Sequence, residues 1–192
     1  MSIRLRQWAR RSFIEPKPSL IALRKYELSP ELAMADSLVA RLRINSLRPE
    51  REARIACLFA IGIEARTNAS VQVSIGESED FDFLARWVVG DETHYVPVQL
   101  KELAPEDLNE AHSLEELQRS LAPRLESEAA LLVHLNRLGS VEFSVLATFA
   151  APFREIWFLW AGGPRQTEWH IFGDVRGSPS QISFDYPADG SE

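Results

Sequence analysis

Asp80-Phe81-Asp82-Phe83-Leu84-Ala85-Arg86-Trp87, followed after a turn by Val96-Pro97-Val98-Gln99-Leu100-Lys101, decides the reading of this chain. Side chains alternate faces along a strand, so Gln99 and Lys101 share one face while Val98 and Leu100 take the other. Both segments carry polar groups that a plain strand does not need. An acid on one strand beside a Gln and a Lys on the next makes a compact polar cluster. Such a cluster suits a divalent cation and a phosphate.

The flanking residues support the strand reading. Val71, Val73 and Ile75 alternate with Gln72, Ser74 and Gly76, a period of two. An acidic turn follows at Glu77-Ser78-Glu79-Asp80, then a second strand over residues 81–89. Gly90-Asp91-Glu92-Thr93 supplies hairpin turn chemistry before a third strand over residues 95–102. Three consecutive strands with short turns predict an antiparallel meander.

Helices are expected on either side. Ser29-Pro30-Glu31 opens one well, with Ser as N-cap and Pro at the first helical position. Its apolar stripe is Leu32, Ala35, Leu38, Val39 and Leu42. A second restarts at Pro49-Glu50 and runs to about Ala65, with Ile55, Leu58, Phe59 and Gly62 on one face and Ile61 and Ile63 thickening it. So much apolar surface predicts a helix lying on a sheet. Ser113-Leu114-Glu115-Glu116 is a capping-box pattern, and Pro123 ends or bends the helix it starts. The apolar run over residues 129–135 then predicts a crossover strand returning to the same sheet. Residues 141–150 read as either helix or strand. Residues 154–160, 167–175 and 181–186 read as further strands, and residues 188–192 as a frayed tail.

The chain has 192 residues, 45% hydrophobic, enough for one domain over residues 29–187 with a proper core. Its net charge of −7 excludes a nucleic-acid grip spread over the whole surface, so any such contact is local. Residues 1–28 are the basic exception, with Arg4, Arg6, Arg10, Arg11, Lys17, Arg24 and Lys25. They read as an arm packed on its own domain, a solvated tail, or a phosphate-contacting arm.

The lone Cys57 excludes a disulfide framework and a Cys-rich zinc site. His94, His112, His134 and His170 lack metal-ligand spacing, and Gly162-Gly163 reads as a turn. Trp157, Trp160 and Trp169 suit either a stacking surface for single strands or core packing. No apolar run reaches membrane-span length. Arg10-Arg11 is followed by Glu15, Pro16, Lys17 and Pro18 rather than an apolar segment, so no export signal is read and a cytoplasmic setting is expected. C-terminal edge strands and aromatics leave room for a homodimer.

The expected order over residues 49–137 is helix, strand, strand, strand, helix, strand, with 16 residues between Asp82 and Gln99. This resembles the PD-(D/E)XK nuclease superfamily, in the variant with Gln in the acid-x-Lys position. The family's pattern is an acid at the start of the second strand and an acid-x-Lys on the third. The resemblance implies an α/β fold of mixed sheet and helices, with a restriction-endonuclease-like core of α-β-β-β-α-β order. An N-terminal helix and a C-terminal β extension would be added to that core. It implies phosphodiester hydrolysis of DNA or RNA with Mg²⁺ or Mn²⁺, or an inactive relative that binds without cutting. Asp82 would be the principal metal ligand, the Leu100 carbonyl the second, and the Gln99 side-chain oxygen an uncharged third. Lys101 would stabilise developing negative charge or orient the attacking water. Glu64 occupies the place of the family's helix-borne Glu; near a helix C-terminus it needs a partner, and Arg66 is a candidate. Two departures stand out: no Pro precedes Asp82, and Gln99 removes one negative charge from a site meant for a dication. Glu64, Asp80 or Glu79 would have to compensate.

Overall fold

Thr67 ends a long buried helix at Asn68, whose φ of 55° is the left-handed cap that turns the chain into the first strand. The computed structural model describes residues 3–30, 47–76, 81–106, 108, 112–137 and 142–188. The helix expected over residues 31–42, the acidic turn at 77–80 and residues 189–192 of the tail lie outside them.

The elements are α1 (Ile3–Ala9), α2 (Pro16–Glu27), α3 (Arg48–Thr67), β1 (Val71–Ile75), β2 (Phe83–Val89), β3 (Glu92–Leu103), α4 (Leu114–Leu121), β4 (Ser127–Leu135), α5 (Phe143–Ala147), β5 (Phe153–Ala161), β6 (Glu168–Gly173) and β7 (Ser180–Asp185). This is a mixed α/β protein. The seven strands form one sheet in sequence order. β1, β2 and β3 pair antiparallel, as the meander pattern predicts. β4 runs parallel to β3, and β5 parallel to β4. Parallel neighbours need a crossover, and α4 and α5 supply the two. β6 and β7 close the sheet antiparallel. Residues 141–150, ambiguous in sequence, contain the short helix α5.

Each sheet face has its own apolar cluster. One joins α3 to Val73, Phe83, Val98, Leu132, Leu159 and Trp169. The other joins Leu121 of α4 and Leu146 of α5 to Leu131, Val133, Ile156 and Phe158. Residues 55 to 62 of α3 are buried without interruption. An amphipathic helix buries only a stripe, so α3 must be covered on two sides. The sheet covers one, and α2 packs on another through Leu20, which has no exposed surface. Gly62 permits the approach: a Cβ there would come within 3.0 Å of both Ile171 and Phe184.

The basic N-terminal stretch forms α1 and α2 and is tied down. Arg11 donates to Ser74 Oγ at 3.1 Å and to the Gly76 carbonyl at 2.8 Å. The Ile14 N–H donates to the Val73 carbonyl at 2.8 Å, which closes part of the β1 edge. Trp157, Trp160 and Trp169 are 6%, 7% and 0% exposed, so they are core residues and not a stacking surface. Among the described residues, no helix is long and apolar enough to cross a membrane.

Candidate functional site

β2 begins with Phe83 opposite Val98. Asp82, one residue earlier, donates its N–H to the Val98 carbonyl at 3.0 Å. Its carboxylate Oδ2 then accepts the Leu100 N–H at 2.6 Å. Alternate residues of a strand present their peptide groups to the same neighbour, so Val98 and Leu100 both face β2. At Leu100 the ladder has run out, and the Asp82 side chain stands in for a backbone acceptor. The Leu100 carbonyl faces the same gap.

Side-chain alternation sets the rest. Val98 and Leu100 pack toward α3, so Gln99 and Lys101 point to the opposite face. Phe83 also points toward α3, which sends Asp82 to the side of Gln99 and Lys101. The structure thus brings Asp82, Gln99 and Lys101 together on one face, as alternation requires.

Electrostatics couple them. Burial depresses the Lys101 ammonium below the ordinary lysine range; the Asp82 carboxylate opposes that shift, and the Arg124 and Arg48 guanidiniums reinforce it. Arg124 also donates from Nη1 to Gln99 Oε1 at 3.2 Å. Gln99 and Arg124 line a cavity of ≈ 380 Å³ with Arg4 of α1 and with Glu126, Ser127 and Glu128 at the start of β4. In sequence Arg4 belongs only to the basic N-terminal stretch, and nothing there marks Arg124. Arg124 follows Pro123 at the end of α4, a position read only as a helix stop.

Glu64 is not part of this site. Its Oε1 accepts the Val71 N–H at 2.8 Å, at the far end of β1. With ~3.3 Å per strand residue, that is roughly 15 Å from Asp82. It also lies on the face that carries α3. Arg66 is not its partner either; it donates to the Gly173 carbonyl and stacks on Trp157. The orphan donor at the start of β1 is what Glu64 satisfies.

The donor set for a metal is lean. Among the described residues, no group of three His, Cys, Asp or Glu side chains converges. Asp80 and Glu79 lie outside the described residues. Asp82 with the Leu100 carbonyl is what remains, and Gln99 Oε1 is engaged by Arg124. One carboxylate and one carbonyl fit a hard cation that keeps most of its waters.

No family model, curated protein or solved structure matches this chain.

Proposed function

We propose that this protein is a nuclease of the PD-(D/E)XK kind, acting on nucleic-acid phosphodiesters through Asp82, Gln99 and Lys101. The observation that carries the reading is the 2.6 Å bond from the Leu100 N–H to the Asp82 carboxylate. It anchors the acid to the strand bearing the Gln-x-Lys pair, next to a Lys101 that responds to its charge. The run α3-β1-β2-β3-α4-β4, an antiparallel meander followed by a parallel crossover strand, resembles the order expected of a restriction-endonuclease-like core and supports the same reading.

Asp82 and the Leu100 carbonyl would hold a Mg²⁺ or Mn²⁺ ion. When bound, such an ion polarises a phosphoryl oxygen and acidifies a coordinated water. Lys101 stabilises the negative charge that develops on the phosphate. Arg124 and Arg4, on the adjoining cavity, supply guanidiniums for flanking phosphates. Gln99 leaves the cation with one protein charge fewer than an acid would give.

Linear, nicked and branched DNA, and RNA, incubated with Mg²⁺ or Mn²⁺ test this directly. Cleavage that disappears in Asp82→Ala and in Lys101→Ala is expected. No cleavage of any substrate, or cleavage that both variants retain, defeats it.

One observation favours a second reading, a nuclease-fold module that binds without cutting. Arg124 already occupies Gln99 Oε1, the side-chain oxygen that a metal would otherwise take from this strand. Calorimetric titration with Mn²⁺ separates the two. A stoichiometric site lost in Asp82→Ala supports the nuclease; nucleic-acid binding without such a site supports the module.

A further inference from the structure

The sheet has two outer edges, β1 and β7, and the chain treats them differently. At β1, Ile14 exchanges backbone bonds with Val73 at 2.8 and 3.2 Å, and Arg11 takes the Gly76 carbonyl. At β7, no described residue pairs with the outer side. An edge strand is a template for another strand unless Lys, Pro, a bulge or a covering segment blocks it. Pro179 and Pro187 bracket β7, but its six residues, Ser-Gln-Ile-Ser-Phe-Asp, hold no Pro or Lys and keep a regular register. Its one charge, Asp185, stands at the last position. Nor is it covered. Gln181, Ser183 and Asp185 are exposed, and Ile182 and Phe184 are only half-buried although they face α3.

The hydrogen-bond phase of β7 fixes which groups look outward. The Tyr186 N–H donates to the Thr167 carbonyl at 2.7 Å. Opposed residues of an antiparallel pair alternate between bonded and unbonded. Counting back through the register, Phe184 with Trp169 and Ile182 with Ile171 are the pairs bonded to β6. Gln181, Ser183 and Asp185 therefore turn their backbone N–H and C=O groups away from the sheet. Among the described residues, none bonds those groups.

A second copy of this strand is self-complementary to it. A two-fold axis beside Ser183 sets that residue opposite itself, antiparallel, with Gln181 opposite the partner's Asp185. All of the outward residues then stand in bonded pairs, and each such pair exchanges both of its N–H···O bonds. A register centred on Ile182 or Phe184 would leave one outward residue unused. The side chains agree with the Ser183 register. Ile182 falls opposite the partner's Phe184 in an unbonded pair, where side chains stand closest, so apolar meets apolar beside α3. On the other face the Gln181 amide meets the partner's Asp185 carboxylate, and no like charges are opposed.

We propose that β7 is the interface of a symmetric dimer, in which two copies of this chain join their sheets through an antiparallel β7–β7 pair centred on Ser183. The interface does not depend on the nuclease reading. One short edge buries less than a standard interface, so the dimer exchanges reversibly with monomer. Sedimentation velocity from about 1 µM to about 1 mM, in salt that screens the net charge of −7, should show the shift to dimer. Over the same range, amide exchange read residue by residue should slow at Gln181, Ser183 and Asp185, while Ile182 and Phe184 stay protected throughout. Cysteine pairing reads the register, since the native Cys57 is buried. On oxidation, Ser183→Cys should form an intermolecular disulfide at least about tenfold faster than Asp185→Cys. Bonded residues across the axis lie about 5.5 Å apart, within disulfide reach, whereas the two copies of residue 185 are offset by roughly 13 Å along the strands. Monomer at every concentration overturns the proposal and leaves the β7 edge to a strand of another protein. So does a dimer whose three outward amides exchange as in the monomer, or equal rates of disulfide formation in the two variants.

Discussion

The Asp82 carboxylate accepts the backbone N–H of Leu100 at 2.6 Å, one residue beyond the first backbone pair of β2 with β3. The acid of the candidate site is thus also the last rung of a ladder. Asp82→Ala should cost about 2 kcal/mol, because it leaves the Leu100 N–H without its charged acceptor. Asp82→Asn keeps an acceptor oxygen and should recover most of that loss. Neither should bind Mn²⁺ or cleave. Denaturant melts and calorimetry on the pair separate the fold role from the site role; equal stability of the two variants would contradict it.

Lys101 carries the opposite balance. Burial lowers its affinity for a proton in the folded state, so its charge disfavours folding. Lys101→Met should melt at the same temperature as the wild type or higher, while cleavage falls at least about a hundredfold. The sign with pH follows. The unfolded chain keeps the lysine proton to higher pH than the folded protein does, so wild-type stability rises with pH between those two values. The advantage of Lys101→Met should hold at neutral pH and shrink in the alkaline range. An advantage that grows with pH would be the wrong sign.

Glu64 gives a clean control. Glu64→Ala removes the acceptor of the Val71 N–H and should cost about 1 kcal/mol, while Glu64→Gln should cost little. Cleavage by Glu64→Gln should match the wild type, since the group is remote from Asp82. A loss comparable to that of Lys101→Ala would return Glu64 to the site.

Cys57 should be inert in the native protein. Its thiol is buried in α3 and pushed up to about 12, with burial outweighing the hydrogen bond to Ser19. The thiolate is the reactive form, so a thiol reagent at neutral pH should label Cys57 only after unfolding. Labelling at a rate independent of added denaturant would refute this.

Much of this architecture is legible in local pattern. The period of two at Val71, Val73 and Ile75 marks β1, Pro49-Glu50 lies in the first turn of α3, and Ser113 with Glu116 forms the reciprocal capping box at α4. The shared face of Gln99 and Lys101 was legible for the same reason, since alternation is a property of the strand itself. The basic N-terminal stretch was harder: it supplies Leu20, which reaches zero exposure only once α2 packs on α3. Glu64 meets the Val71 N–H at the start of β1, which its place in the helix does not reveal: a helix reading gives the face of a residue but not which end of the sheet lies beneath it.

The sequence by itself determined the mixed α/β class, the meander, the crossover strand and the common face of the Gln-x-Lys pair. These depend on interactions between residues a few positions apart. Only the tertiary structure decided that Asp82 bonds Leu100, that Arg124 and Arg4 join Gln99, and that Glu64 caps β1 instead. Those meetings depend on strand register and on the direction in which α3 crosses the sheet, which are set by packing between distant segments and leave no periodic trace in the chain.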